Sequence, residues 1–219
     1  GDIVHEVLEH SFESVKAKGE VTQDDIAKME AAFPVLLSET LAKRGLTDLI
    51  IQGESALVLT VAKHMLQRFF QRELIRITES PIAVLGLETE VRLYCPVEIG
   101  EQTVSALFKA KIDRLERLGS QVRLIDYKTG KVDKSDVSLR KNDTSDELVV
   151  ESIGNKKHIL QLMLYSLLYH HYEGKVAEPS IVSFVSGNHI PFDLDLKSLD
   201  LNTVIESFPR YVQLILEEL

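Results

Sequence analysis

Two apolar runs of this chain close on charge. In "KIDRL" the run reaches Asp113, and in "LIDYKTG" it reaches Asp126, with Lys128 two positions further on. Alternate side chains of a strand share a face, so Asp126 and Lys128 are expected side by side at a strand end. Asp113 and Asp126 are 13 residues apart, with the short turn "RLGSQ" between them. An antiparallel hairpin can bring their carboxylates together. Neighbouring carboxylates repel unless a cation sits between them, and such oxygen donors suit Mg²⁺ or Mn²⁺. A lysine beside them can hold an attacking water or stabilise charge developing on a phosphate. Metal, carboxylates and lysine together match phosphodiester hydrolysis. Taken alone, the tripeptide reads equally as an Asp126–Lys128 salt bridge, with Asp113 held by Arg114 or Lys111.

The elements that must position these residues follow from periodicity. Residues 2–18 carry Ile3, Val4, Val7, Leu8, Phe12 and Val15 at helical spacing. Thr22 is an N-cap, with Asp24 and Asp25 in the first turn of a helix to about residue 43 that Pro34 should kink or break. Residues 53–77 form a third helix, with Leu57, Val61, Met65, Leu66, Phe69 and Phe70 on or near one face. The pattern then alternates. "AVLGLETEVRLYCPVEIG" sets Leu87, Thr89, Val91 and Leu93 against Glu88, Glu90, Arg92 and Tyr94, a strand with one apolar face. "TVSALFKAKIDRLERL" and "QVRLIDYKTG" are the next strands, joined as a hairpin. Residues 131–157 are polar, with Lys131, Lys134, Arg140, Lys141, Lys156 and Lys157, and read as a long mobile loop. A helix ("HILQLMLYSLLYHHY"), a strand ("SIVSFVSG") and a last helix ("LNTVIESFPRYVQLILEEL") complete the order. The expected class is α/β, a central mixed sheet flanked by helices. Residues 1–80 would be a mainly helical N-terminal portion and 81–219 the α/β core of one domain.

Bulk composition narrows the function. The 219 residues suffice for one domain with a sizeable core. No apolar run approaches the ~20 residues of a membrane span, and the acidic start is unlike a signal peptide. The chain lacks an initial Met and begins inside a helical pattern, as a fragment of a longer protein would. A lone cysteine, Cys95, excludes an internal disulfide, a cysteine-rich zinc site and a self-contained iron–sulfur cluster. It reads as a packing residue in a reducing, cytoplasmic setting. The net charge of −9 argues against strong autonomous DNA affinity, but not against a local basic groove or a partner that delivers DNA.

"AKIDRLERLGSQVRLIDYKTG" followed by "KKHILQLMLYSLLY" resembles the nuclease core of the RecB/AddB-type branch of the PD-(D/E)XK superfamily, and "GDIVHEVLE" resembles that branch's upstream helix. The resemblance spans Gly1 to Tyr165. It implies that His5 is a metal-ligating helix histidine and that Asp113 and Asp126 are the two carboxylates. Lys128 would be the catalytic lysine, and the Tyr127 carbonyl a further metal ligand. Gln161 and Tyr165, four apart on one helix face, would lie against the site, contacting DNA or orienting Lys128. An acidic residue upstream often joins such sites; Glu88 and Glu90 are the candidates, Glu88 preferred. Ala110 replaces a glycine of the pattern, and the four cysteines that hold a cluster in many relatives are missing. The implied activity is a Mg²⁺- or Mn²⁺-dependent deoxyribonuclease without an iron–sulfur cluster. It would act on single-stranded DNA ends beside a helicase domain or subunit, in repair and recombination. A non-cleaving DNA-binding module or a structural module of the same fold is the alternative. His10, His64, His158, His170, His171 and His189 read as surface or interface residues.

Overall fold

The computed structural model describes residues 1–46, 54–99, 101–139, 156–185, 189–191, 193, 194, 202, 205, 207, 208 and 210–213. Three helices come first: α1 (Asp2–Glu13), α2 (Gln23–Lys43) and α3 (Glu54–Glu79). Strands β1 (Ile82–Ile99), β2 (Gln102–Leu118) and β3 (Gln121–Lys128) follow as an antiparallel meander. A short strand β4 (Ser138–Leu139) precedes α4 (Lys157–Glu173), then β5 (Glu178–Ser183), β6 (His189–Pro191) and β7 (Asp193–Leu194). The described residues between 202 and 213 are helical.

The main sheet has the order β1-β2-β3-β5-β6. β3 and β5 are parallel, so α4 is the crossover between them; β4 and β7 form a separate parallel pair. The sheet is therefore mixed and carries helices on both faces, as the alternation of patterns predicts. Adjacent residues of β3 divide the core. Leu124 packs with α4 residues such as Ile159, Leu162 and Leu168. Ile125 and Tyr127 pack with Val7, Leu8 and Phe12 of α1 and Phe69 and Phe70 of α3.

Four local expectations are revised. The first helix ends at Glu13 rather than near residue 18. The Ala17 and Val21 N–H groups donate to Val84 O and Ile82 O (3.1 and 2.7 Å), so the segment hydrogen-bonds to the edge of β1 instead of continuing a helix. Pro34 lies inside α2 without ending it, on the exposed side. In α3 the inward stripe runs through Leu66, Phe69, Phe70 and Glu73, leaving Leu57 and Val61 exposed. The 131–157 segment contains a 3-10 turn (Lys134–Asp136) and β4, and Arg140 and Lys141 lie outside the described residues. Of its other cations, Lys131 pairs with Asp133 and Lys156 donates to Ser138 O. No helix among the described residues is long and apolar enough to cross a membrane.

The Thr22 N-cap is a capping box, with Thr22 and Asp25 bonding each other's backbone N–H. Burial acts to raise the Asp25 carboxyl, but Lys18 at 2.7 Å and the Thr22 donors prevail and hold it at about 2. A carboxyl depressed in the folded state stabilises above its unfolded pKa of 3.8 and loses that contribution as pH falls through 2. Asp25→Asn is therefore expected to cost about 2 kcal/mol at pH 7 and much less at pH 2. Urea unfolding of both proteins at the two pH values checks this; an undiminished gap in acid would refute it.

Candidate active site

The site forms against the start of α1, at the end of the β2–β3 pairing away from the turn; Asp113 lies inside β2, which extends back to Gln102 alongside β1, rather than at a strand end. Arg114 pairs with Ile125, and Leu118 with Gln121, leaving Gly119–Ser120 as the turn; Gly119 has φ +60°, as such tight turns require. This register puts Asp113 and Asp126 at the same end of the hairpin. The Tyr127 N–H donates to Asp113 Oδ2 at 2.6 Å. From α1, His5 Nε2 donates to the Tyr127 carbonyl at 2.9 Å, and its Nδ1 lies 3.6 Å from Asp113 Oδ1. His5 lies three residues before Leu8 and seven before Phe12, so it shares their inward-facing stripe of α1.

Glu88 completes the cluster. His5, Glu88 and Asp113 each offer a ligand atom, and these atoms lie within 4.8 Å of one another. Simple alternation along β1 would put Glu88 and Glu90 on one face. Instead Glu88 has φ +48°, and the inward side switches: Leu87 packs with the α1–α3 core, Val91 with the α4 core. β1 therefore lacks the single apolar face its pattern predicts. Glu90 points to solvent and pairs with Arg92 at 2.9 Å. Glu88 is also bonded by Lys111.

A non-glycine residue in this backbone region is strained by about 1 kcal/mol or more, and such strain gathers at functional sites. Glu88→Gly and Glu88→Ala both remove the carboxylate, but only glycine relieves the backbone. The glycine variant is expected to be the more stable by about 1 kcal/mol. Equal denaturation midpoints for the two would show that the left-handed conformation does not hold in solution.

Asp126 is held from α4. Gln161 Nε2 donates to Asp126 Oδ1 (2.9 Å) and to the Tyr165 hydroxyl (2.8 Å). That hydroxyl lies 3.1 Å from the same carboxylate oxygen and 3.0 Å from Lys111 O. Lys128 Nζ is 2.8 Å from Asp126 Oδ2, as strand alternation predicts. The pair is not a solvated salt bridge, because Asp126 is only 2% exposed. Nor is Asp113 held by its sequence neighbour: Arg114 points to the opposite side, toward Glu73 and Glu116.

Burial, with Asp126 and Glu88 nearby, pushes the Asp113 carboxyl up to about 7 despite the Tyr127 N–H and Lys128. Crowded anionic oxygens with one imidazole are the donor set of a hard divalent cation, which would relieve the repulsion that raises this pKa. His5, Glu88 and Asp113 thus fit such an ion, with the Tyr127 carbonyl adjacent.

A model of the PD-(D/E)XK nuclease superfamily matches residues 1–197. The chain belongs to this superfamily. Membership implies a metal-dependent nuclease. None of the curated proteins compared with the chain matches it.

Two neighbours of the site escaped the sequence reading. Lys111 was weighed only as a partner for Asp113. His158, which reads from the sequence as a surface or interface residue, is half-buried, and burial, Lys128 and Lys157 hold its pKa down. It precedes Gln161 by three and Tyr165 by seven on α4, so its place on the site-facing stripe was legible from helical spacing. His10 is exposed and its ring bonds its own helix, at Glu6 O.

Proposed function

We propose that the chain is a Mg²⁺- or Mn²⁺-dependent deoxyribonuclease that hydrolyses phosphodiester bonds at single-stranded DNA ends. The observation that carries this is the His5–Glu88–Asp113 donor cluster, set against the pair of buried Asp126 and Lys128 at the end of β3, the strand beside Asp113. His5, Glu88, Asp113 and the Tyr127 carbonyl would hold the ion, with Asp126 beside them. When bound there, such an ion would supply Lewis acidity toward the phosphate and lower the pKa of a water. Lys128 positions the attacking water and counters charge that develops on the phosphate oxygens. Gln161 and Tyr165 fix one oxygen of Asp126, so the other stays directed at Lys128. The backbone N–H of Tyr127 fixes Asp113 in the same way.

The order of motifs from "GDIVHEVLE" to "QLMLY" supports a finer placement, as the nuclease part of a RecB- or AddB-like helicase–nuclease in double-strand-break repair and recombination. The acidity of the chain is consistent with a helicase part that delivers the strand.

The test is degradation of end-labelled single-stranded DNA in Mg²⁺ or Mn²⁺, with wild type beside Asp113→Asn. Cleavage by the wild type alone, together with loss of Mn²⁺ binding in the variant, is the expected result. A wild type that neither cuts nor takes up Mn²⁺ would leave a structural module instead.

A further inference from the structure

β3 pairs with β2 only from Arg114 to Leu118, whereas β1 and β2 stay paired out to Ile99 and Gln102. Beyond the site the hairpin is thus a two-stranded ribbon. One face is covered: Val91, Leu93, Phe108 and Ala110 pack with the α4 core, and Phe108 meets the Phe208 ring edge-on at 6.3 Å. The other face is open. Its cross-strand rows are Glu90 with Lys111, Arg92 with Lys109, Tyr94 with Leu107, Pro96 with Ser105 and Glu98 with Thr103. Tyr94 is 68% and Leu107 46% exposed. This face leads into the metal cluster, because Lys111 bonds Glu88.

From these observations we infer that the open face of the β1–β2 ribbon is the track along which single-stranded DNA enters the site. Three of its five charged side chains, Arg92, Lys109 and Lys111, are basic, against Glu90 and Glu98, in a chain of net charge −9, and the three basic ones lie in the rows nearest the metal cluster. That row is complementary to a phosphate backbone. Tyr94 is an exposed ring beyond the cations, a platform on which an unpaired base can stack whatever its identity. The six residue steps from Glu88 to Tyr94 span roughly 20 Å at strand rise, enough for a few nucleotides between platform and metal. Stacking needs a base freed from its pair, which favours a single strand over a duplex. Lys111, paired with Glu88, stands where the open face meets the cluster. The inference rests on the nuclease reading and deepens it.

The test is fluorescence anisotropy of a labelled 20-nucleotide oligothymidine in EDTA, where no cutting occurs. Wild type is compared with Tyr94→Ala and with the double variant Arg92→Ala/Lys109→Ala. All three positions are exposed, so the variants should melt with the wild type. Expected results are tighter binding of the single strand than of the oligothymidine–oligoadenine duplex, and a loss of roughly fivefold or more in Tyr94→Ala. In the double variant the slope of log affinity against log salt should fall by about 1.4. Unchanged single-strand affinity in both variants, no binding by the wild type, or a preference for duplex would each overturn the track. Mn²⁺ calorimetry on the same proteins separates the two readings. Wild-type Mn²⁺ uptake with indifferent ribbon variants removes the track and leaves the nuclease. No Mn²⁺ uptake, with binding still lost in Tyr94→Ala, removes the nuclease and leaves a single-strand binding face.

Discussion

Lys128→Ala is expected to lower phosphodiester cleavage by roughly 10²–10³-fold, the range for losing one preorganised charge donor at a reacting centre, while Mn²⁺ still binds. The lysine pairs with Asp126 Oδ2, and the cluster His5, Glu88 and Asp113 does not include it. Its removal takes away the group that orients water and counters phosphate charge, but none of the proposed ligands. Asp113→Asn should behave differently. It removes a ligand, so metal uptake and cleavage should fall together. Single-turnover cleavage and Mn²⁺ calorimetry on both variants separate the roles. Cleavage by Lys128→Ala at the wild-type rate would exclude Lys128 from the chemistry. Loss of Mn²⁺ binding in Lys128→Ala would make it a structural partner of Asp126.

Arg114→Ala is expected to be the most destabilising single change, costing about 3–5 kcal/mol, as removal of one partner from a buried ion cluster does. Arg114 is fully buried between Glu73 and Glu116, each 3.0 Å away, and stacks on the Phe12 ring at 4.6 Å. Burial alone would lower its pKa; the two carboxylates more than offset this and keep it charged. Arg76 joins both carboxylates, and Arg123 approaches Glu116 at 3.9 Å. Without Arg114, two buried carboxylates lose their central cation and Phe12 loses its stacked guanidinium. The network ties α3 to β2 one residue from Asp113, so the damage should reach the site. A fall in Tm of roughly 10 °C is anticipated for a chain of this size. Arg117→Ala, at an exposed position of the same strand, is the control and should change little. A melt of Arg114→Ala within a degree or two of wild type would show that the network contributes no net stability.

Much of this protein is legible in its sequence because the relevant signals are local. Strand alternation set Asp126 beside Lys128, helical spacing set Gln161 beneath Tyr165, and the short turn at Gly119 aligned the two aspartates. The order of helices and strands followed from a change of period, which each segment carries within itself. What depended on partners far along the chain was not legible. The choice between Glu88 and Glu90 turned on a left-handed residue that reverses the faces of β1, and no pattern of two announces such a reversal. Leu57 and Val61 matched an inward stripe, yet only the packing of α3 decided which side faced the core. Arg114 looked like a partner for Asp113. It instead neutralises carboxylates on α3 and β2, because a buried guanidinium goes where uncompensated charge is closest. The sequence by itself determined the order of the main helices and of β1, β2, β3 and β5, but not the short strands β4, β6 and β7, and it determined the chemistry that Asp113, Asp126 and Lys128 carry. Only tertiary structure decided which acidic residue joins His5 and Asp113, and which face of the long hairpin stays open, since both depend on what packs against the other side.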